Sequence, residues 1–356
     1  MEQELIYTNM VGSAIDDLVE LLGSPDCVVL TDVNTAQFVL PVLVNDSRAV
    51  ASAGRVTVRS GDANKTLDEL AAAWRRLAEL SATRKTLVIN IGGGVVTDLG
   101  GLAAATFKRG LRCINVPTTL LGAVDASIGG KTGINFNGVK NLIGTFTEPI
   151  ATVISTVYFN TLPPQQILSG YAEMIKHGLL EDPDTFRSLL AYSPVYPSFN
   201  SEALLPLIQK SVLTKKRICE ADLLESGLRK ALNFGHTVGH AFEALALRRQ
   251  SPVLHGYAVA WGMVTELILS HLALNFPSEY VHSLSDYVRT NYGMHALSCS
   301  DYPELLDLMR QDKKNLDATH INFTLLESIG KPRIDCTASD DQIKTALDLY
   351  RDLSGQ

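Results

Sequence analysis

The sequence predicts an α/β N-terminal domain built on a parallel sheet, followed by a mostly α-helical C-terminal domain. Three observations carry this. Short β-rich runs alternate with helical periodicity through the first half, strand signals largely stop after Thr161-Leu162-Pro163-Pro164, and three glycines stand where an apolar run meets a helical pattern. Strands buried on both faces read as continuous apolar runs, and alternation with helices implies parallel crossovers. The boundary falls near Pro163, giving domains 1–163 and 164–356.

In chain order, residues 27–31, 55–58, 86–91 and 113–116 read as buried strands, and 65–80 and 95–108 as helices between them. The run Ile91-Gly92-Gly93-Gly94-Val95-Val96-Thr97-Asp98 ends a strand and opens a helix, so backbone N–H groups can approach a pyrophosphate at the positive helix end. That turn makes the sheet Rossmann-like, although Thr97 holds the third glycine position of the GxGxxG pattern. Beyond the boundary, amphipathic helical patterns cover 165–190, 202–220 and 228–248, and 321–326 is the main β exception.

With 356 residues, 46% hydrophobic, 19% charged and a net charge of -7, the chain reads as a mildly acidic globular protein. Disorder and general nucleic-acid binding are disfavoured, so cations that bind an anion must be local. Five scattered cysteines without CxxC spacing argue against a disulfide framework or a thiolate zinc site and for a reducing, cytoplasmic setting. The start, Met1-Glu2-Gln3-Glu4-Leu5, has no signal-peptide pattern, and no apolar stretch is expected to cross a membrane.

A second loop runs from Pro117-Thr118-Thr119-Leu120 through Asp125 to Gly129-Gly130-Lys131-Thr132-Gly133, with Lys140-Asn141 beyond it; its hydroxyls, glycines and lysines suit phosphate or polyol binding. The most concentrated chemistry lies in residues 227–240. If that stretch is one helix, Arg229, Asn233, His236 and His240 fall at i, i+4, i+7 and i+11 and share a polar face. The His236/His240 spacing suits a metal, with His255 and Glu173 as further candidates, and spacing leaves open which three bind. Lys176, Lys215, Arg229, Lys313 and Lys314 supply cations for an anionic, hydroxylated substrate.

These segments, with Asp32-Val33-Asn34, Ser60-Gly61-Asp62, Lys65, Asp312-Lys313-Lys314 and Ile329-Gly330, resemble in this order the 3-dehydroquinate synthase family of the sugar phosphate cyclases. The resemblance covers most of the chain, and its ordered set of motifs is highly specific. It implies a homodimer with NAD in the α/β domain, a divalent metal in the helical domain, usually zinc with cobalt as the alternative, and the active site between the domains. The metal ligands would be Glu173, His236 and His255, with His240 on the substrate. NAD contacts would fall on Asp32, Asn34, Asp62, Lys65, Gly93, Gly94, Val95, Asp98, Thr118, Thr119, Asp125, Lys131, Lys140 and Thr161.

The implied substrate is 3-deoxy-D-arabino-heptulosonate 7-phosphate, held by Lys131, Lys140, Asn141, Lys176, Lys215, Arg229, Asn233, His240 and one of Lys313 or Lys314. Arg109 would reach the neighbouring subunit's site. The implied reaction is transient oxidation by NAD, β-elimination of phosphate, reduction, ring opening and intramolecular aldol closure to 3-dehydroquinate, with no net NADH. The departing phosphate can serve as base, so no side-chain base is required. Three positions depart from the pattern: Thr97 for glycine, Ser155 for aspartate, and Tyr257 for glutamate two residues after His255. The competing readings are another sugar phosphate cyclase, a metal-dependent polyol dehydrogenase and a non-catalytic binding protein.

Overall fold

The computed structural model describes residues 3–195, 199–311 and 320–355. The chain divides into two compact units, Met1–Leu162 with Ser201–Ile208, and Pro163–Asn200 with Gln209–Gln356.

The first unit holds a parallel six-stranded sheet in the order β1-β8-β5-β4-β2-β3. Its strands are β1 (Glu4–Tyr7), β2 (Cys27–Asp32), β3 (Gly54–Val58), β4 (Leu87–Gly92), β5 (Arg112–Pro117) and β8 (Ala151–Ile154); β6 (Ile134–Phe136) and β7 (Val139–Ile143) form a separate antiparallel hairpin. Its helices are α1 (Val11–Leu21), α2 (Val33–Phe38), α3 (Leu40–Asp46), α4 (Arg48–Ser52), α5 (Leu67–Glu79) and α6 (Gly94–Thr106). Side chains alternate across a strand, so Val28 and Leu30 face a core with α5 and α6, while Val29 faces another with α1 and α3. Both faces are thus covered, which explains why β2 and β4 are mostly apolar, with the buried Asn90 of β4 donating to Asn115 of β5 at 3.0 Å. After β2 the chain moves outward to β3, then returns to place β4 on the other side of β2. That reversal opens a crevice at the carboxyl ends of β2 and β4, where ligands of such sheets bind.

The second unit contains α7 (Pro164–Glu181), α8 (Pro183–Ala191), the later part of α9 (Ser201–Ala221), α10 (His236–Arg248), α11 (His255–Leu274), α12 (Ser278–Asn291), α13 (Tyr302–Arg310), the hairpin β9 (Asn322–Ser328) and β10 (Lys331–Thr337), and α14 (Asp340–Ser354). Residues 165–190 form two helices rather than one pattern, because Asp182 is extended and caps α8 through Thr185 N–H. The expected β segment is half of an antiparallel hairpin whose second strand alternates in burial and was not anticipated from apolar content. The membrane expectation needs correction as well. Helix α11 is long and apolar enough to span a bilayer, and 72% of its most apolar window is buried inside the protein. It is the core helix of this unit and packs on α7, α10, α12, α14 and β9.

Helices α10 and α11 meet at glycines. A Cβ on Gly262 would lie 2.1 Å from the Gly235 carbonyl oxygen and 2.6 Å from the Gly239 nitrogen, both backbone atoms that cannot swing aside. Gly262→Ala is therefore expected to destabilise the protein by about 3 kcal/mol or more, at the upper end of overpacking costs. Denaturant unfolding checks this, and an unchanged midpoint would show that the helices can separate freely.

Candidate metal and ligand sites

The single helix expected from Arg229 to His240 does not form. Residues Leu228–Asn233 make a tight 3₁₀ segment, Gly235 adopts φ +78°, and α10 begins only at His236. A left-handed residue cannot continue a right-handed helix, so the glycine breaks the run and Arg229 and Asn233 leave the helical face of His236 and His240.

The break brings three side chains from three elements together. Glu173 on α7 is fully buried; His236 and His255 open α10 and α11. The Nε2 atoms of His236 and His255 lie 3.4 and 3.5 Å from Glu173 Oε1, and one ligand atom from each residue fits within 4.8 Å of the others. The other ring nitrogens are engaged: His236 Nδ1 faces the Phe234 carbonyl at 3.0 Å and His255 Nδ1 faces Glu243 Oε2 at 3.4 Å. Such outer partners fix the tautomer and turn Nε2 towards a metal. His240 lies beside them, its ring centroid 5.4 Å from His236 and 5.9 Å from His255, but is not in the group of converging ligand atoms.

The electrostatics fit a cation. Among the described residues no hydrogen bond reaches either Glu173 oxygen, although the Lys176 ammonium is in direct contact with Oε2. Burial alone would favour the neutral acid, but Lys176 and His236 outweigh it and hold the carboxyl well below its usual range. Burial would likewise discharge His255, yet Glu173 and Glu243 push its imidazole up to about 9. A two-histidine, one-carboxylate set of borderline and hard donors suits zinc or cobalt.

Buried cations stand in the same unit: Lys176, Lys215 and Arg229 are 2%, 7% and 1% exposed. Fixed cations of this kind can pair with the carboxylate or phosphate oxygens of an anionic ligand. Arg229 is anchored by Nη1 donating to the Leu223 carbonyl at 3.0 Å, while its N–H and that of Gly227 donate to Asp222 Oδ2 at 3.0 and 2.7 Å. Asn233 Nδ2 donates to Glu225 Oε1 at 3.3 Å. The sequence reading missed Asp222, Glu225 and Glu243. Glu243 carried a usable signal, since it lies seven residues after His236 on the face that bears His240. Lys313 and Lys314 lie outside the described residues.

In the first unit the nucleotide candidates gather at strand carboxyl ends. Asp32 ends β2 and accepts from Thr35 N–H at 2.8 Å, capping α2, whose first turn holds Asn34. Asp62 and Lys65 follow β3, Gly93, Gly94, Val95 and Asp98 follow β4, and Thr118, Thr119 and Asp125 follow β5. Thr161 closes the turn after β8. No side chain caps α6, and its first N–H groups lack intrahelical acceptors. A Cβ on Gly93 would stand 2.9 Å from Thr119 Cγ2, so the turn leaves a backbone-lined cradle. Thr97 does not obstruct it: its side chain is buried and its hydroxyl donates to the Gly94 carbonyl at 3.1 Å. Ser155 is engaged with Asn9 Oδ1 at 2.9 Å. Tyr257 packs in an aromatic cluster, 5.1 Å from Tyr292 and 6.1 Å from Trp261 between ring centroids, and Glu243 supplies the carboxylate beside His255.

Lys65 Nζ bonds Asp98 Oδ2 at 2.9 Å and lies 3.4 Å from Asp62, which Lys140 approaches to 3.3 Å. Burial opposes the charge on Asp62, but Lys65 and Lys140 outweigh it and lower its carboxyl below the usual range. Asn135 ties the β6–β7 hairpin to this turn: its amide donates to the Asp62 carbonyl at 2.8 Å and accepts the Asn141 N–H at 3.0 Å. Lys131 is exposed and pairs across to Phe146 in an isolated bridge. Arg109, at φ +68°, sits on the turn between α6 and β5, at the opposite end of the sheet from the glycine cradle.

Family models for the 3-dehydroquinate synthase N-terminal and C-terminal domains match residues 55–169 and 170–315. A 3-dehydroquinate synthase of Parabacteroides distasonis is 44% identical over 354 residues, covering 99% of both chains. One from Streptococcus pyogenes serotype M3 is 38% identical over 349 residues, covering 98% of this chain and 96% of the other. Among solved structures, a 2-epi-5-epi-valiolone synthase from Streptomyces hygroscopicus subsp. jinggangensis with NAD+ and Zn2+ bound superposes with a TM-score of 0.86 at 23% identity, covering 99% and 97%. A 2-deoxy-scyllo-inosose synthase complexed with carbaglucose-6-phosphate, NAD+ and Co2+ gives 0.82 at 22%, covering 96% and 95%. At that identity these two structures establish the fold alone.

Proposed function

The chain belongs to the 3-dehydroquinate synthase family, and on that premise we propose that it converts 3-deoxy-D-arabino-heptulosonate 7-phosphate to 3-dehydroquinate and phosphate. It is a lyase of the shikimate route to aromatic amino acids. The convergence of Glu173, His236 and His255 in a unit that also buries Lys176, Lys215 and Arg229 carries the reading most directly. It combines a cation site with fixed positive charge for an anionic sugar acid.

Glu173, His236 and His255 would hold the divalent metal, zinc or cobalt, and Asp32, Asn34, Asp62, Lys65, Gly93, Gly94, Val95, Asp98, Thr118, Thr119, Asp125, Lys131, Lys140 and Thr161 the NAD. When bound, NAD supplies a reversible hydride acceptor and the metal a Lewis acid that polarises a hydroxyl or carbonyl oxygen. The residues of the chain do the rest by holding and orienting. Arg229 offers a planar fork to a carboxylate, its backbone fixed by Asp222. Lys131, Lys140, Asn141, Lys176, Lys215, Asn233, His240 and one of Lys313 or Lys314 complete the grip on the substrate. The pull of Glu173 on Lys176 keeps that ammonium in place within the buried site.

The N-terminal domain, 1–163, takes the nucleotide, and residues 164–356 take metal and substrate. We place the enzyme in the cytoplasm, in keeping with five free cysteines, and assign it a homodimer in which Arg109 serves the partner's site. The position of Arg109 at the far end of its own sheet supports that role. Mixing Arg109→Ala with Lys176→Ala protein is then expected to recover activity that neither variant has alone, since one site in each mixed dimer is intact. No recovery after subunit exchange would remove Arg109 from a shared site.

The deciding experiment is phosphate release from the heptulosonate phosphate, with and without chelator. Phosphate without net NADH is expected, and chelation should stop it. A polyol dehydrogenase would accumulate NADH in step with product. A cyclase for a substrate without the carboxylate would present no negative group to the Arg229 fork, which disfavours that alternative.

A further inference from the structure

Glu266 is a fully buried acid on α11 that the chemistry above does not use. It lies about three turns along from His255 and one turn beyond Gly262, on the face that meets α10. Helix α10 starts from the left-handed Gly235 with no side-chain cap of its own. Its first N–H groups would be orphaned in the interior, at a cost of about 1–3 kcal/mol each. Glu266 Oε2 accepts the Gly235 N–H at 2.6 Å and Oε1 accepts the Val238 N–H at 3.0 Å. The two bonds bracket His236, one residue before it and two after. Gly262 lets the helices come close enough for this reach.

We propose that Glu266 is a positioning residue for the metal site, a helix cap supplied from a second helix that holds the His236 backbone in place. The inference rests on the reading of Glu173, His236 and His255 as the metal ligands. With the backbone set by Glu266 and the ring set by the Phe234 carbonyl, Nε2 has one direction left, towards Glu173. The charge matters as well as the shape. Both partners are donors at the positive end of a helix, so a carboxylate satisfies both, whereas a glutamine would turn its own N–H₂ against one of them.

The test measures Zn2+ and Co2+ affinity of the metal-free protein by competition with a chromogenic chelator, across Glu266→Gln, His236→Ala and the double variant. Glu266→Gln alone is expected to weaken binding about tenfold or more, as outer partners of metal ligands do. In the His236→Ala background the same change should cost under about twofold, because there is no ligand left to position. Equal losses in both backgrounds, or no loss in the single variant, would overturn the proposal. If Glu266→Gln does not fold, as judged by circular dichroism, Glu266→Asp goes through the same cycle, its carboxylate one methylene short. If His236→Ala leaves metal affinity unchanged, the ligand reading falls instead, and the inference with it.

Discussion

Replacing His255 with alanine should reduce metal-dependent phosphate release by about a thousandfold or more, the scale expected when several kcal/mol of Lewis-acid stabilisation is lost. The reason is geometric. His255 Nε2 is one of the two imidazole nitrogens beside Glu173 Oε1, at 3.5 Å, and its removal leaves one histidine and one carboxylate, which hold a divalent ion poorly. The change also removes the ring nitrogen that Glu243 Oε2 meets at 3.4 Å. Metal content per protomer, measured beside turnover, separates loss of the ion from loss of the fold. Full activity with metal retained would sink the ligand assignment.

Arg229→Ala should lower kcat/KM for the carboxylate-bearing substrate by about 30- to 5000-fold, the 2–5 kcal/mol typical of truncating one partner of a buried charge pair. At 1% exposure the guanidinium has no water to replace a lost partner, and the substrate carboxylate would meet an empty, desolvated pocket. Arg229→Lys should recover little, since an ammonium cannot reproduce the two-pronged contact or the bond to the Leu223 carbonyl together. The control is a substrate analogue lacking the carboxylate. Equal losses on both compounds would show that Arg229 supports the fold around Asp222 rather than reading the acid.

Much of the architecture is legible residue by residue. The strands β2, β4 and β5 are mostly apolar because both sheet faces are covered, and the glycines at 92–94 mark a turn whose tightness depends on those residues themselves. The stretch from Arg229 to His240 was less legible. Its spacing is perfectly helical on paper, and the extended ψ of Phe234 together with the left-handed φ of Gly235 divides it. A lone glycine inside a helical pattern is tolerated often enough that the sequence does not announce a break. The β10 strand escaped notice for a related reason: its alternation includes charged and proline positions, so only its pairing with β9 makes it a strand.

By itself the sequence determined the class of the fold and the family, because strand burial, helix periodicity and an ordered set of glycine, lysine and histidine motifs are properties of local segments. Tertiary structure decided how the candidate metal site is assembled. Glu173, Glu243 and Glu266 lie far from one another along the chain, and no spacing rule relates them. They become neighbours of His236 and His255 because α7, α10 and α11 pack together, with Gly262 allowing α10 and α11 to cross closely and Gly256 doing the same for α11 and α7. Which nitrogen of each histidine faces Glu173, and which acid faces the nitrogen behind it, follows from that packing.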